Sequence, residues 1–111
     1  RDFRGFDQGQ KSPVSYLDVV MEQKVLGYWD GANQKLINMI LKGGKMPEVP
    51  EELKKTPYLK VWMTVLVLCW LEKLWAYERK AWSLVHQKGS EWLKRQGVNY
   101  EEFRTLANQY I

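Results

Sequence analysis

The chain has 111 residues, of which 45% are apolar and 27% are charged, and this composition excludes an intrinsically disordered chain. The length fits one domain. The formal net charge is +4, but no run holds more than two adjacent cations, and this spread argues against a nucleic-acid-binding face. The six tryptophans are several times the usual share and require either a packed interior or a binding surface.

The chain is predicted to begin with an extended arm. Residues 1–12 are polar and contain Gly5 and Gly9, whereas residues 13–111 are predicted to form a single helical domain. The first residue is Arg1 rather than Met, so we expect a fragment or a processed form of a longer protein. The start of the sequence shows no signal peptide.

A first helix is predicted between Ser15 and Gly27. Ser15 is a suitable N-cap, Asp18 follows it in a capping-box position, and Gly27 suits the end of the helix. Apolar residues at helical spacing lie between these two ends: Leu17, Val20, Met21 and, further on, Val25.

A second helix is predicted to begin at an Asp30 cap, after the short aromatic connector Tyr28-Trp29, and to end at Gly43-Gly44. One face of this helix is apolar and consists of Leu36, Ile37, Ile40 and Leu41. The next stretch, 45–57, contains three prolines and several charges. It is predicted to be a loop with one turn at Glu51–Leu53.

The segment from about 59 to 77 is predicted to be the central helix. Within 61–71 every residue except Thr64 is apolar. A β-strand is the alternative, but strands rarely exceed about eight residues, and neither Gly nor Pro interrupts this segment. Eleven residues separate the charged Lys60 and Glu72, which is far short of the ~20 that a bilayer span requires. We therefore expect a helix that is buried on nearly all sides.

A further helix is predicted from 78 to 95, either continuous with the central helix or separated from it by a tight bend. It carries a narrow apolar seam of Trp82, Val85, Gly89 and Trp92. Gly89 allows a close approach between helices, and Gly97 ends the helix. Asn99 and Glu102 then form a capping box for a last helix. The predicted fold is all-α: a compact bundle of about five helices around the buried central helix, with the extended N-terminal arm.

No constellation of residues predicts catalysis. His86 is the only histidine and is expected to be a half-exposed helix residue, since metal and acid–base sites need more than one such group. Cys69 lies in the apolar run, so we expect a buried thiol rather than a nucleophile. Because Cys69 has no partner for a disulfide, a reducing compartment is favoured. The chain is therefore predicted not to be an enzyme and to hold no metal and no cofactor.

Two groups of motifs resemble a known family. Residues 21–29 contain a glutamine followed, after three residues, by Gly-x-Trp, and residues 62–72 contain Trp-x-Thr, an apolar run and Trp-Leu-Glu. Trp82-Ser83-Leu84-Val85, Lys88 and Trp92-Leu93 follow in order. Over about 17–95, the chain thereby resembles the C-terminal helical domain of proteins with vault/inter-α-trypsin (VIT) and von Willebrand factor A domains. Leu26 stands where that family often has an acidic residue.

The resemblance implies a partner. One branch of the family, the vault poly(ADP-ribose) polymerases, attaches to major vault protein through this kind of region. The implied function is a non-enzymatic interaction module that carries its parent protein to the vault, a cytoplasmic ribonucleoprotein particle, with no small-molecule substrate and no membrane. The aromatic residues expected at helix edges are the candidate partner-binding residues: Tyr28, Trp29, Trp75, Tyr77 and Trp82. Trp75 and Trp82 are expected to be partly exposed, and Trp62, Trp70 and Trp92 to lie in the core.

Two other functions stay open. The domain could be a structural C-terminal unit that packs on the VIT or von Willebrand A domain of its own parent protein. It could also bind nucleic acid or another acidic partner, although the dispersed charge makes nucleic acid an unlikely partner. The cations for that function would be Lys54, Lys55, Arg79, Lys80, Lys94 and Arg95.

Overall fold

The computed structural model describes residues 15–111, so the predicted arm at 1–12 lies outside the described part of the chain. Five α-helices form the domain: α1 (Tyr16–Val20), α2 (Gln34–Ile40), α3 (Tyr58–Leu74), α4 (Arg79–Arg95) and α5 (Tyr100–Asn108). Short 3-10 turns lie at Lys42–Gly44, Glu51–Leu53 and Ala76–Glu78. Residues 15–111 contain no strand, and the predicted all-α class with about five helices is confirmed.

Helix α3 is the centre of the bundle, as predicted. All eleven residues in 61–71 are buried, because α4, α5 and the turn at Glu51–Leu53 pack around them. The helix ends at Leu74, earlier than the predicted end near Tyr77. At that point Trp75 leaves the helical conformation, and its carbonyl accepts a hydrogen bond from the Trp82 indole at 2.7 Å. Within 15–111, no helix has both the length and the apolar character that a bilayer crossing requires.

The one polar residue in the buried run of α3 joins two parts of the fold. The Thr64 hydroxyl accepts a hydrogen bond from the Trp29 backbone N–H at 3.0 Å and donates one to the Lys60 carbonyl at 2.7 Å. The Trp29 indole N–H in turn donates to the Val19 carbonyl at 2.8 Å. Trp29 therefore ties the end of α1 to α3, and every buried polar group at this point has a partner.

The first two helices differ from the prediction at one end each. Ser15 caps α1 and forms the predicted capping box with Asp18, but α1 ends at Val20 rather than near Gly27. Helix α2 is capped by Asn33, whose side chain accepts from the backbone of the third helical residue. The predicted cap, Asp30, lies one turn earlier and accepts from the Ala32 N–H at 2.9 Å.

The bend between α3 and α4 lets α4 return along α3, so the two helices are not continuous. Gly89 lies on the face of α4 that contacts α3. A Cβ atom there would be 3.2 Å from Leu68 Cδ2 and 3.2 Å from Trp29 Cζ3, which confirms the predicted role of this glycine. Asn99 caps α5 as predicted, but its side chain accepts from the Glu101 N–H and not from Glu102.

Candidate interaction surface

The five aromatic residues predicted to contact a partner differ in accessibility. Tyr77 is 77% exposed, and Tyr28 and Trp75 are partly exposed. Trp29 is 0% exposed and Trp82 is 1% exposed. The expectation that Trp82 is partly exposed is therefore wrong, and neither Trp29 nor Trp82 can contact a partner in this conformation.

Internal hydrogen bonds explain why these two indoles are buried. The Trp29 N–H donates to the Val19 carbonyl, and the Trp82 N–H donates to the Trp75 carbonyl. An indole whose N–H is paired inside the protein can be buried without a hydrogen-bonding penalty. The predicted core tryptophans are also buried: Trp62, Trp70 and Trp92.

Aromatic rings gather where α3 meets α4. The Trp75 ring lies 5.4 Å from the Tyr16 ring, 6.0 Å from the Trp70 ring and 5.8 Å from the Tyr77 ring, measured between centroids. The Trp75 Nε1 atom is shielded from solvent and has no acceptor among the described residues. Tyr77 is thus the outermost ring of a packed aromatic group that begins at the first residue of α1.

Large apolar side chains are exposed along α1 and the turn after it. Leu17 is 54% exposed, Met21 80%, Val25 87% and Leu26 62%. These four are among ten exposed large apolar residues in the described chain, and they fall within ten consecutive positions. Their exposure was not predicted from the sequence, which shows them only as apolar residues at helical spacing.

The choice of buried face on α1 explains this outcome. Val19 is fully buried, and Tyr16 and Val20 pack against the core. The alternative phase, Leu17 and Met21, is equally apolar but points away from the core. Two apolar phases on one short helix give no periodic signal that distinguishes inside from outside.

The backbone of the turn Lys24–Tyr28 is held by hydrogen bonds, although its side chains are exposed. Its backbone closes through hydrogen bonds from the Lys24 N–H to the Tyr28 carbonyl at 2.8 Å and from the Gly27 N–H to the Lys24 carbonyl at 2.9 Å. Arg95 donates to the Leu26 carbonyl at 3.1 Å. Gly27 has φ +116°, and a Cβ atom there would be 2.7 Å from the Lys88 carbonyl oxygen, so glycine is required where the turn meets α4.

The structure also brings together a polar cluster that the sequence did not reveal. Glu72 on α3 accepts hydrogen bonds from His86 at 2.5 Å and from the Tyr100 hydroxyl at 2.9 Å, and it pairs with Arg104 at 2.6 Å. The Cys69 sulfur lies 3.4 Å from the same Tyr100 hydroxyl. One carboxylate therefore ties α3 to α4 and α5, across sequence separations that no local pattern reports.

Glu72, Cys69 and Tyr100 of this cluster have shifted pKa values. Burial raises the pKa of the Glu72 carboxyl, but the hydrogen bonds from His86 and Tyr100 and the charge of Arg104 outweigh burial, so this pKa lies below its usual range. Burial raises the pKa of the Cys69 thiol to about 11 and also raises the pKa of Tyr100. A thiol that stays protonated at neutral pH is a poor nucleophile.

No group of three or more His, Cys, Asp or Glu side chains within 15–111 is arranged to hold a metal ion. The cations considered for an acidic partner lie in two parts of the fold, with Lys54 and Lys55 in the loop before α3 and the other four at the two ends of α4. Lys54 pairs with Glu51 at 3.4 Å in the loop before α3, and the Arg79 guanidinium lies 5.6 Å from the Trp82 ring at the start of α4.

A comparison of the chain with family models, with curated proteins and with solved structures finds no significant match in any of the three.

Proposed function

We propose that this domain is a non-enzymatic protein-interaction module that binds major vault protein and so attaches its parent protein to the cytoplasmic vault particle. The observation that supports an interaction role is the row of exposed apolar side chains on a rigid support. Leu17, Met21, Val25 and Leu26 are 54–87% exposed. The resemblance to the vault-binding branch of the VIT and von Willebrand A family supports the choice of partner.

The four exposed apolar side chains provide only part of the surface that stable binding requires. Burying an apolar side chain of this kind contributes about 1.5–3 kcal/mol, and association costs about 4–15 kcal/mol, so four side chains alone give weak binding. The contact must extend further. Tyr77 extends it, because the Tyr16 ring at the start of α1 packs against Trp75, and Trp75 packs against Tyr77.

The hydrogen-bonded backbone beneath the exposed side chains lowers the entropic cost of binding. A backbone that is already held by Trp29, Gln23 and Arg95 loses little conformational entropy on binding. The Glu72 cluster supports the non-enzymatic part of the proposal, since its donors and acceptors satisfy one another and its thiol is protonated at neutral pH.

Co-sedimentation with vault particles assembled from purified major vault protein tests this function. The full chain is expected to sediment with the particles, and Met21→Asp is expected to reduce the bound fraction. Leu59→Asp is the matched control, because Leu59 is also exposed, at 43%, but lies at the start of α3. A chain that stays in the supernatant at every particle concentration contradicts the proposal.

The same surface could be covered by the VIT or von Willebrand A domain of the parent protein, and a pull-down with those domains distinguishes this structural role. Retention by those domains together with no binding to vault particles favours the structural role. Nucleic-acid binding predicts retention on heparin that falls steeply with salt. We expect no such retention, because the six cations considered for that function are divided between the loop before α3 and the two ends of α4.

A further inference from the structure

The turn Lys24–Tyr28 presents its two middle side chains to solvent. Val25 is 87% exposed and Leu26 is 62% exposed. The neighbouring aromatic side chain turns inward, since the Tyr28 ring lies 5.0 Å from the Trp92 ring. The backbone beneath the two aliphatic residues is closed on itself and held against α4. The result is a small, rigid apolar projection.

Cationic residues flank this turn. Lys24 belongs to the turn and is exposed, and the turn lies against α4 between Lys88 and Arg95. The acidic residue on that part of α4 is Glu91, whose carboxylate accepts a hydrogen bond from Gln87 at 3.2 Å.

The acidic side chains that precede and follow the turn in the sequence are already engaged within the protein. Asp30 accepts a hydrogen bond from the Ala32 N–H at 2.9 Å. Glu22 pairs with Lys35 at 3.5 Å. Asp18 accepts from the Ser15 N–H in the cap of α1. Cations therefore outnumber free carboxylates around the turn.

We infer that the turn Lys24–Tyr28 inserts into an apolar pocket of a partner protein and that carboxylates on the rim of this pocket pair with Lys24, Lys88 and Arg95. The inference rests on the proposed function, because it requires a protein partner. Val25 and Leu26 supply the buried area, and the cations orient the turn at the pocket. Arg95 already donates to the Leu26 carbonyl, and its remaining N–H groups can bind a carboxylate.

Charge disfavours two other occupants. A second copy of the chain would place Lys24 and Arg95 against the same cations across a two-fold axis, and like charges in contact oppose pairing. An anionic lipid surface would repel the Glu91 carboxylate, and three cations contribute only about 1 kcal/mol each at such a surface. A protein can instead pair a single cation with Glu91 and carboxylates with its neighbours.

The test uses the full chain, vault particles of major vault protein as the probe, and two variants of the turn. Val25→Ser with Leu26→Ser removes the apolar contact and is expected to raise the Kd by at least about tenfold. Lys24→Glu is expected to raise the Kd at low salt, with a smaller difference from wild type at high salt. The matched controls, Leu59→Ser and Lys55→Glu, change exposed residues outside the turn and are expected to bind as wild type.

Unfolding cannot imitate this result, because both turn variants change exposed side chains and are expected to keep the wild-type Tm. Wild-type affinity in both turn variants overturns the inference and leaves the proposed function intact. A wild-type chain that does not bind vault particles overturns both. If wild type binds phosphatidylserine vesicles and the turn variants do not, the turn contacts lipid. If wild type forms a dimer in light scattering and the turn variants do not, the turn contacts a second copy. Either result overturns the inference.

Discussion

Replacing Thr64 with valine tests the hydrogen bond that joins Trp29 to the central helix. Thr64 is 0% exposed, and its hydroxyl is the acceptor for the Trp29 N–H at 3.0 Å. Valine has nearly the same shape but no hydroxyl, so this buried N–H would lose its partner. An unsatisfied buried donor costs about 1–3 kcal/mol, and we expect a loss of about 2 kcal/mol in the free energy of unfolding.

Urea and thermal unfolding followed by circular dichroism measure this loss. In a domain of this size, about 2 kcal/mol corresponds to a Tm lower by about 10 °C. Thr64→Ser is the control, since it keeps the hydroxyl and loses one methyl group, which costs about 1 kcal/mol. If Thr64→Val is as stable as wild type, or more stable than Thr64→Ser, the Thr64 hydroxyl does not stabilise the fold through Trp29. Faster hydrogen exchange at the Trp29 amide in the valine variant would locate the effect.

Three further substitutions test the packing and the polar cluster. Glu72→Gln is expected to lower stability by about 1–3 kcal/mol at neutral pH. The pKa of Glu72 is lower in the folded chain than in the unfolded one. The stability that Glu72 contributes is therefore present above the unfolded pKa of about 4.3 and is lost as pH falls through the folded pKa. The difference in stability between wild type and Glu72→Gln should shrink accordingly in acid. The pKa of the Cys69 thiol is 9.0 in the unfolded chain and about 11 in the folded one, so only the unfolded thiol loses its proton between these values. Wild type is therefore expected to lose about 3 kcal/mol of stability across this pH range, and Cys69→Ala is expected not to lose it. Unfolding curves of the two proteins that stay parallel with pH would contradict this. Gly89→Ala should lower the free energy of unfolding in urea by about 1 kcal/mol, because crowding of the new methyl group against Trp29 and its neighbours outweighs the gain in helix propensity. The control, Ser83→Ala on the exposed face of α4, should be neutral or stabilising.

The many tryptophans of this chain contribute mainly to the core and not to the exposed apolar surface. Most of the tryptophans serve the core, because their N–H groups are paired internally or their rings are enclosed. The exposed apolar surface instead consists mainly of aliphatic side chains on α1 and the turn Lys24–Tyr28. Tyr77 is the member of the predicted aromatic set that is strongly exposed.

Features that depend on local chemistry were predictable from the sequence. The apolar run 61–71 predicted a buried helix because its length exceeds a strand and no Gly or Pro interrupts it. Ser15 and Asn99 were recognised as caps because a short polar side chain can pair with the free N–H groups of the helix that follows. Gly89 was recognised because a glycine within an apolar seam marks a close contact.

Other features were decided only in the tertiary structure. Helix α1 has apolar residues on two faces. The hydrogen bond between Trp29 and Thr64, 35 residues apart, holds the segment after α1 against α3. In that arrangement Val19 is buried and Met21 is exposed to solvent. The Glu72 cluster likewise needs α3, α4 and α5 in place before its side chains meet. The sequence by itself therefore determined the helices, most of their ends and the central position of α3, because these follow from composition and short-range hydrogen bonds. Which apolar residues face a partner was determined by packing between distant segments, since burial depends on what lies opposite a side chain and not on its neighbours along the chain.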